Sequence, residues 1–265
     1  MIPEDHSRPT HSAEFRFYEE LNDFLPDEHR KVSFRHTFHG TPSVKDTVQA
    51  IGVPHTAIDL ILVDGHSVDF AHQLHGGERV AVYPVFERLD ISPVIRLRPK
   101  PLRDTRFILD VHLGKLARYL RMLGFDAAYE RDRDDETIID LSLEQKRIIL
   151  TRDIGILKQS RVTHGYWVRH HQPLEQLQEV LLSLDLLNQL HPFTRCMDCN
   201  GKIQPVARSE ISTRVDPDIF NRFKAFWRCD DCRKIYWQGS HYHRMLERIR
   251  KIELIMISAQ NKELS

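Results

Sequence analysis

No stretch of this 265-residue chain approaches the ~20 consecutive apolar residues of a membrane-spanning helix, which excludes a helical bilayer protein. The opening MIPEDHSRPTHS is polar, so no secretory signal is expected. Net charge is missing too. Lys and Arg number 38 and Asp and Glu number 38, which argues against a wholly basic nucleic-acid coat but leaves room for a local basic surface. There is no G-x-S-x-G elbow, no Walker loop and no G-x-G-x-x-G behind a strand, so nothing points to a serine nucleophile or a nucleotide cofactor. Cysteine is scarce: the 4 present all fall in two C-x-x-C pairs, a usage that favours metal over disulfides in a reducing compartment. A cytoplasmic protein of two or three units is expected from this length and composition.

Residues 1–12 read as a disordered leader. From Ala13 to about residue 88 the pattern is strand, strand, helix, strand, strand. EFRFYEEL and KVSFRHTF give the first two strands, and the second alternates Val32, Phe34, His36 and Phe38. Thr41-Pro42-Ser43 opens a helix with Val44, Val48 and Ile51 at helical spacing up to Gly52. DLILVDG and GGERVAVYPVF give the last strands, the former ending in an Asp-Gly turn. This small α+β unit resembles the ubiquitin-like, β-grasp domains of the sulfur-carrier kind, chiefly in TPSVKDTVQAIGVP, LILVDG and GERVAVYPVF. Sulfur carriers end in a free Gly-Gly, whereas here the chain runs on through Pro84-Val85-Phe86. The expected role is therefore docking of a protein partner, presentation of RNA, or a folded spacer. Residues 89–104, rich in proline and arginine, read as an extended linker.

Between 105 and 190 short apolar strands (RFILD, FDAAYE, KRIILT, HGYWVR) alternate with helical stretches at 113–123, 135–143, 154–158 and 173–187. That order implies βαβ units and a parallel sheet. Leu113, Leu116, Ala117, Leu120 and Leu123 form one buried stripe, and Leu174, Leu177, Val180, Leu181 and Leu184 another.

In such a sheet the strands present their carboxyl ends on one edge, where ligands bind. Asp110 ends one strand, Asp153 lies two residues past Thr151 at the end of another, and Asp135 opens the helix after a third. Three carboxylates converging there require a cation, and a hard ion such as Mg²⁺ or Mn²⁺ suits oxygen ligands and substrate phosphate. Each is also placed to be a helix N-cap, and Asp132 or Asp134 can stand in for Asp135. Lys115, Arg118 and Arg121 recur every third residue on the helix after Asp110, and with Arg152 they are candidate phosphate contacts. Thr151 is a candidate to orient Asp153 or a water.

Cys196, Cys199, Cys229 and Cys232 form two C-x-x-C pairs within residues 191–245, a strong signature of a closed four-thiolate, structural zinc site. A redox role for either pair, or His241 and His243 as competing ligands, is the alternative reading. Around the second pair Phe226, Trp227, Arg228, Arg233, Lys234, Tyr236, Trp237 and Tyr242 interleave aromatics with cations, which suits stacking on unpaired bases. Residues 246–265 read as an amphipathic helix fading into a tail.

FILDVHLGKLARYLRMLGFD, DDETI, RIILTRD, Gln176-Leu177, RCMDCNGKI and FWRCDDCRKIYWQGSHYHRM together resemble the Mut-seven C-terminal RNase family, a PIN-like nuclease domain fused to a zinc ribbon. The resemblance implies an α/β, PIN-like fold and ribonuclease activity dependent on Mg²⁺ or Mn²⁺. It carries the acidic ligands onto Asp110, Asp135 and Asp153. PIN nucleases usually present a fourth acid, and no candidate for it stands out here. A non-catalytic RNA- or ribosome-binding adaptor, with the acids as caps, is the rival expectation.

Overall fold

The computed structural model describes residues 9–84 and 105–263, with side chains described up to 255; the linker expected over 89–104 and most of the expected leader lie outside them. The chain opens with β1 (Thr10–Phe17), β2 (Phe34–His39), α1 (Val44–Ile51), β3 (Ile58–Val63), β4 (His66–Val68) and β5 (Arg79–Pro84). It continues with β6 (Arg106–Leu109), α2 (Gly114–Met122), β7 (Asp126–Ala128), α3 (Asp135–Gln145), β8 (Ile148–Thr151), α4 (Ile154–Lys158), β9 (Gly165–Trp167) and α5 (Pro173–Ser183). Last come β10 (Ile203–Val206), α6 (Pro217–Arg222), β11 (Phe226–Cys229), β12 (Ile235–Tyr236) and α7 (Ser240–Glu263). Two compact units result. One joins the described part of 1–103 to 153–167, and the other joins the described part of 104–152 to that of 168–265.

In the first unit a five-stranded sheet has the order β2-β1-β5-β3-β4, with β1 parallel to β5 and the other pairings antiparallel. This is the β-grasp arrangement. The alternation in β1 turns Ala13, Phe15 and Phe17 into the core, where they meet Val44 and Val48 of α1 together with Ile58, Ile61, Val80 and Val82. Ser43 caps α1 by accepting from the Asp46 N–H at 3.1 Å while its hydroxyl donates to the Asp46 carboxylate at 2.7 Å. β1 begins at Thr10, inside the stretch expected as leader, because Thr10 and His11 pair in register with His39 and Phe38. β4 was not foreseen. It is three residues of mixed polarity, joined to β3 by the two-residue turn Asp64-Gly65, both with positive φ.

In the second unit β6 is flanked by parallel partners, β7 in the register Arg106↔Asp126 and β8 in the register Phe107↔Ile148. Phe107, Ile108 and Leu109 are all buried, as a parallel strand covered on both faces requires. Helix α2 packs on α5 and β7, and α3 on β6 and β8. All five residues of the first expected stripe, Leu113 to Leu123, are completely buried. In α5 Leu177, Val180 and Leu181 are buried, but Leu174 in the first turn is exposed and the polar Gln176 and Glu179 are buried. The strands β10-β11-β12 form a separate antiparallel sheet. Helix α7 starts at Ser240, within the stretch read as ribbon. No helix among the described residues is long and apolar enough to cross a membrane.

Candidate active site and metal centre

Asp110 follows the last residue of β6 and is 4% exposed. Its N–H donates to the Leu150 carbonyl at 3.1 Å, which continues the pairing of β6 with β8 by one residue. Oδ1 accepts from the His112 N–H at 2.8 Å and so caps the 3-10 turn Val111–Leu113. Oδ2 accepts from the Thr151 hydroxyl at 2.5 Å and the Arg152 N–H at 2.9 Å. A carboxylate offers about four lone-pair directions. Three donors leave one direction, on Oδ1, for a cation. Thr151 therefore orients Asp110, a role that the sequence did not suggest, because β6 and β8 are neighbours and their ends meet.

Asp153 is exposed and caps α4, accepting from the Gly155 N–H at 2.7 Å. Asp135 is not a cap. Asp134 takes that role, accepting from the Thr137 N–H at 2.9 Å and the Thr137 hydroxyl at 2.8 Å, and Asp135 becomes the first helical residue, exposed. Among the described residues, one group of three or more metal-ligating side chains has its ligand atoms within 4.8 Å of one another, and it consists of the four cysteines. That group does not include Asp110, Asp135 or Asp153.

The basic residues divide. Lys115 and Arg118 are exposed on α2, with Arg118 Nη2 3.9 Å from the Asp198 carboxylate. Arg121 is not a phosphate contact: it is 3% exposed, and its guanidinium donates to the carbonyls of Ala127 at 2.8 Å, Met197 at 3.2 Å and Asp198 at 2.9 Å. The cause is helical geometry. A three-residue step falls short of a 3.6-residue turn, so the series drifts round the helix until Arg121, four residues after Ala117, joins the buried stripe.

Arg152 Nη2 lies 3.1 Å from Nε2 of His171. A guanidinium only donates, so the imidazole nitrogen accepts. Beside them, Glu179 on α5 receives the Arg169 N–H and Nε–H, both at 3.0 Å, the His170 N–H at 3.1 Å and Nδ1 of His170 at 2.8 Å. Gln176 donates to the His170 carbonyl at 3.0 Å. This Arg-His-His segment was missed in the sequence, where Glu179 lay concealed within a leucine-rich helix. Burial pushes Glu179 up, but hydrogen bonds from Arg169 and His170 outweigh it and hold its carboxyl below the ordinary 4.5. A depressed folded pKa contributes stability that is present above about pH 4.5 and is lost as the pH falls through the folded value. Glu179→Gln is accordingly expected to flatten the fall of unfolding free energy below that pH, measured by denaturant titration at pH 6, 4.5 and 3. Asp126 also has a lowered pKa and titrates in both proteins, so the difference between them isolates Glu179.

The cysteines form two equivalent knuckles. The Cys196 N–H donates to the Gly201 carbonyl at 2.8 Å and the Cys229 N–H to the Lys234 carbonyl at 2.9 Å; Asn200 and Arg233, which follow the second cysteine of each pair, both have positive φ. At Gly201 a Cβ would lie 2.5 Å from Asp231 Oδ2 and 2.7 Å from Cys229 Sγ, so only glycine lets the knuckles close on each other. Cys196 Sγ is 3.7 Å from Cys232 Sγ, and Cys199 Sγ is 3.4 Å from Cys229 Sγ. All four sulfurs lie within 4.8 Å of one another, so the two pairs converge on one point as ligands of a single ion do. A tetrahedral site with Zn–S of about 2.3 Å has an S···S edge of about 3.8 Å, so the donor set and its spacing fit zinc. The Tyr236 hydroxyl lies 2.9 Å from Cys196 Sγ and orients that ligand. Burial pushes the Cys196 thiol up, but N–H donors from Cys199 and Asp198 and the Tyr236 hydroxyl bring it down to about 7.

The first knuckle is fastened to the parallel sheet at β7. Asn200 donates to Asp126 at 2.7 Å and accepts from the Ala127 N–H at 2.9 Å, and Asp126 also receives Arg147 at 2.6 Å and Arg195 at 3.3 Å. On the second knuckle an open cleft of about 320 Å³ is lined by Arg214, Ile219, Arg233, Lys234, Ile235 and Trp237 among others. Of the expected aromatics Phe226 is buried in the ribbon core, while Trp237 lines this cleft.

Residues 105–249 match the model of the Mut7-C RNAse domain family, and residues 10–90 that of the Mut7-C ubiquitin family. No curated protein and no solved structure matches the chain.

Proposed function

The chain belongs to the Mut7-C RNAse domain family, and from that membership we propose that it is a cytoplasmic, divalent-metal-dependent ribonuclease that hydrolyses RNA phosphodiester bonds. Asp110, Asp135 and Asp153 are the acidic ligands, and the four cysteines hold a structural zinc. The observation that supports this most is Asp110 itself: a buried carboxylate at the end of a central parallel strand, fixed by three donors, with one acceptor direction left. A cap needs a single acceptor oxygen, and Oδ1 already supplies it; the Thr151 and Arg152 contacts to Oδ2 serve orientation. Mg²⁺ or Mn²⁺ bound there supplies polarisation of the phosphoryl oxygen and a more acidic water.

The surrounding residues bind the substrate. Lys115 and Arg118 stand exposed on α2, which starts four residues after Asp110, and contact phosphates without reading sequence. Arg152 presents its guanidinium from the residue whose N–H holds Asp110. The ribbon cleft offers Arg214, Arg233 and Lys234 to the backbone and Trp237 to a base.

The cap hydrogen bonds of Asp110 and Asp153 favour a second reading, a non-catalytic RNA- or ribosome-binding adaptor. Incubation of zinc-loaded protein with single-stranded and structured RNA separates the two. Cleavage that requires added Mg²⁺ or Mn²⁺ while the zinc stays bound is the expected result. Salt-sensitive binding with no cleavage under either metal identifies the adaptor.

A further inference from the structure

The segment 153–167, which begins with Asp153, is part of the same compact unit as the β-grasp sheet, and contacts at three positions along it hold it there. From α1, Gln49 Nε2 donates to the Lys158 carbonyl at 2.6 Å. From the 3-10 turn His55–Ala57, His55 Nε2 donates to the Val162 carbonyl at 2.9 Å, and both residues are buried. The Phe24 ring lies 4.7 Å from that of Trp167. Just before these points Ile156 and Leu157 are buried as well.

Helix α4 depends on such contacts. It has five residues, far fewer than the ~12–15 at which an isolated helix becomes even marginal in water, so its stability is supplied by packing. The Lys158 carbonyl is one of the terminal acceptors without an intrahelical partner, and Gln49 satisfies it. Asp153 caps the opposite end of the same helix, so a frayed α4 releases the hydrogen bond from the Gly155 N–H to its carboxylate.

Resting on the ribonuclease reading, we propose that the ubiquitin-like domain is a built-in positioning element of the nuclease. By clamping α4 and the loop after it through Gln49, His55 and Phe24, it fixes Asp153 for metal binding. The domain is then a structural part of the catalytic apparatus, and His55 is its principal positioning residue. A sequence separation of 107 residues joins His55 to Val162, which is why no local pattern announces the contact.

The test uses the full, zinc-loaded chain with His55→Ala and His55→Gln, since the glutamine amide can replace the Nε2 donor. Amide exchange across residues 155–162 and steady-state cleavage of a single-stranded RNA with Mn²⁺ are measured on each. In His55→Ala, loss of a buried hydrogen bond is expected to speed exchange in that segment about tenfold relative to β6 and β8, and to lower kcat about tenfold with KM within about twofold. His55→Gln is expected to recover most of both. Gln49→Ala, a half-buried position acting on Lys158, repeats the test should His55→Ala fail to fold. Faster exchange with an unchanged kcat overturns the proposal, as does unchanged exchange. A wild type that cleaves no RNA with either metal defeats the ribonuclease reading, and the coupling to Asp153 with it, while the exchange result still decides whether the clamp exists.

Discussion

Asp110→Asn is expected to lower kcat about a thousandfold, the rate equivalent of losing ~4 kcal/mol of metal-assisted transition-state stabilisation. RNA affinity should stay within about threefold, since the phosphate contacts of Lys115 and Arg118 are untouched. The substitution also has a structural cost. Asparagine keeps an oxygen for the His112 N–H, but its amide nitrogen then faces the Arg152 N–H, a donor against a donor. The Thr151 hydroxyl can rotate to accept from the amide; the Arg152 N–H cannot. One buried backbone donor is left without its partner, at about 1–3 kcal/mol of stability. Thr151→Val separates the two effects because it removes a donor to Oδ2 and keeps the carboxylate charge. That variant should match the stability loss while retaining most of the activity. Stopped-point cleavage assays and denaturant unfolding on the three proteins provide the comparison. Undiminished cleavage in a folded Asp110→Asn protein would remove Asp110 from the metal site.

Features that depend on local chemistry were legible in the sequence. The cysteine quartet was readable because knuckle spacing is fixed by the covalent geometry of its turns, and both pairs obey it. The place of Asp110 at the end of β6 was readable because the run Phe107-Ile108-Leu109 stops there. Three consecutive acids, Asp134, Asp135 and Glu136, blurred the start of α3; the cap fell to Asp134, whose carboxylate reaches both the N–H and the hydroxyl of Thr137. Counting by threes placed Arg121 with Lys115 and Arg118, and the true helical pitch moved it into the core. What sequence could not supply were the distant pairings. Thr151 on Asp110, Glu179 on the Arg169-His170 segment, and Val162 on His55 each join residues from separate elements, and no periodicity encodes them.

Arg121 ties the four-cysteine site to the stability of α2 and β7 as well as to that of the ribbon. Four-thiolate zinc sites have apparent binding free energies of ~10–16 kcal/mol, so chelation is expected to unfold β10, β11 and β12 with their knuckles. The loss should not stop there. Two of the three carbonyls that receive the buried Arg121 guanidinium, Met197 and Asp198, lie between Cys196 and Cys199, and Asn200 in the same knuckle holds Asp126 and Ala127 of β7. When the knuckle loosens, the Arg121 guanidinium keeps the Ala127 carbonyl as a hydrogen-bond acceptor and the Asp126 carboxylate as a nearby anion, but loses two of its three acceptors. Loss of two buried hydrogen bonds from a charged group costs about 3–5 kcal/mol. For a unit of this size that corresponds to a fall of roughly 6–20 °C in the melting temperature of the α2 and β7 region. Residue-resolved exchange during chelation should therefore lose protection first in 195–238, next in α2 and β7, and last in the β-grasp sheet. Arg121→Met supplies the control, because with no guanidinium to lose its acceptors, chelation should still unfold the ribbon but take less protection from α2. Equal loss in both proteins would show that the knuckle and α2 are coupled through Asn200 and Asp126 instead, and no loss in either would mean that the four thiols do not depend on a metal to hold the ribbon together.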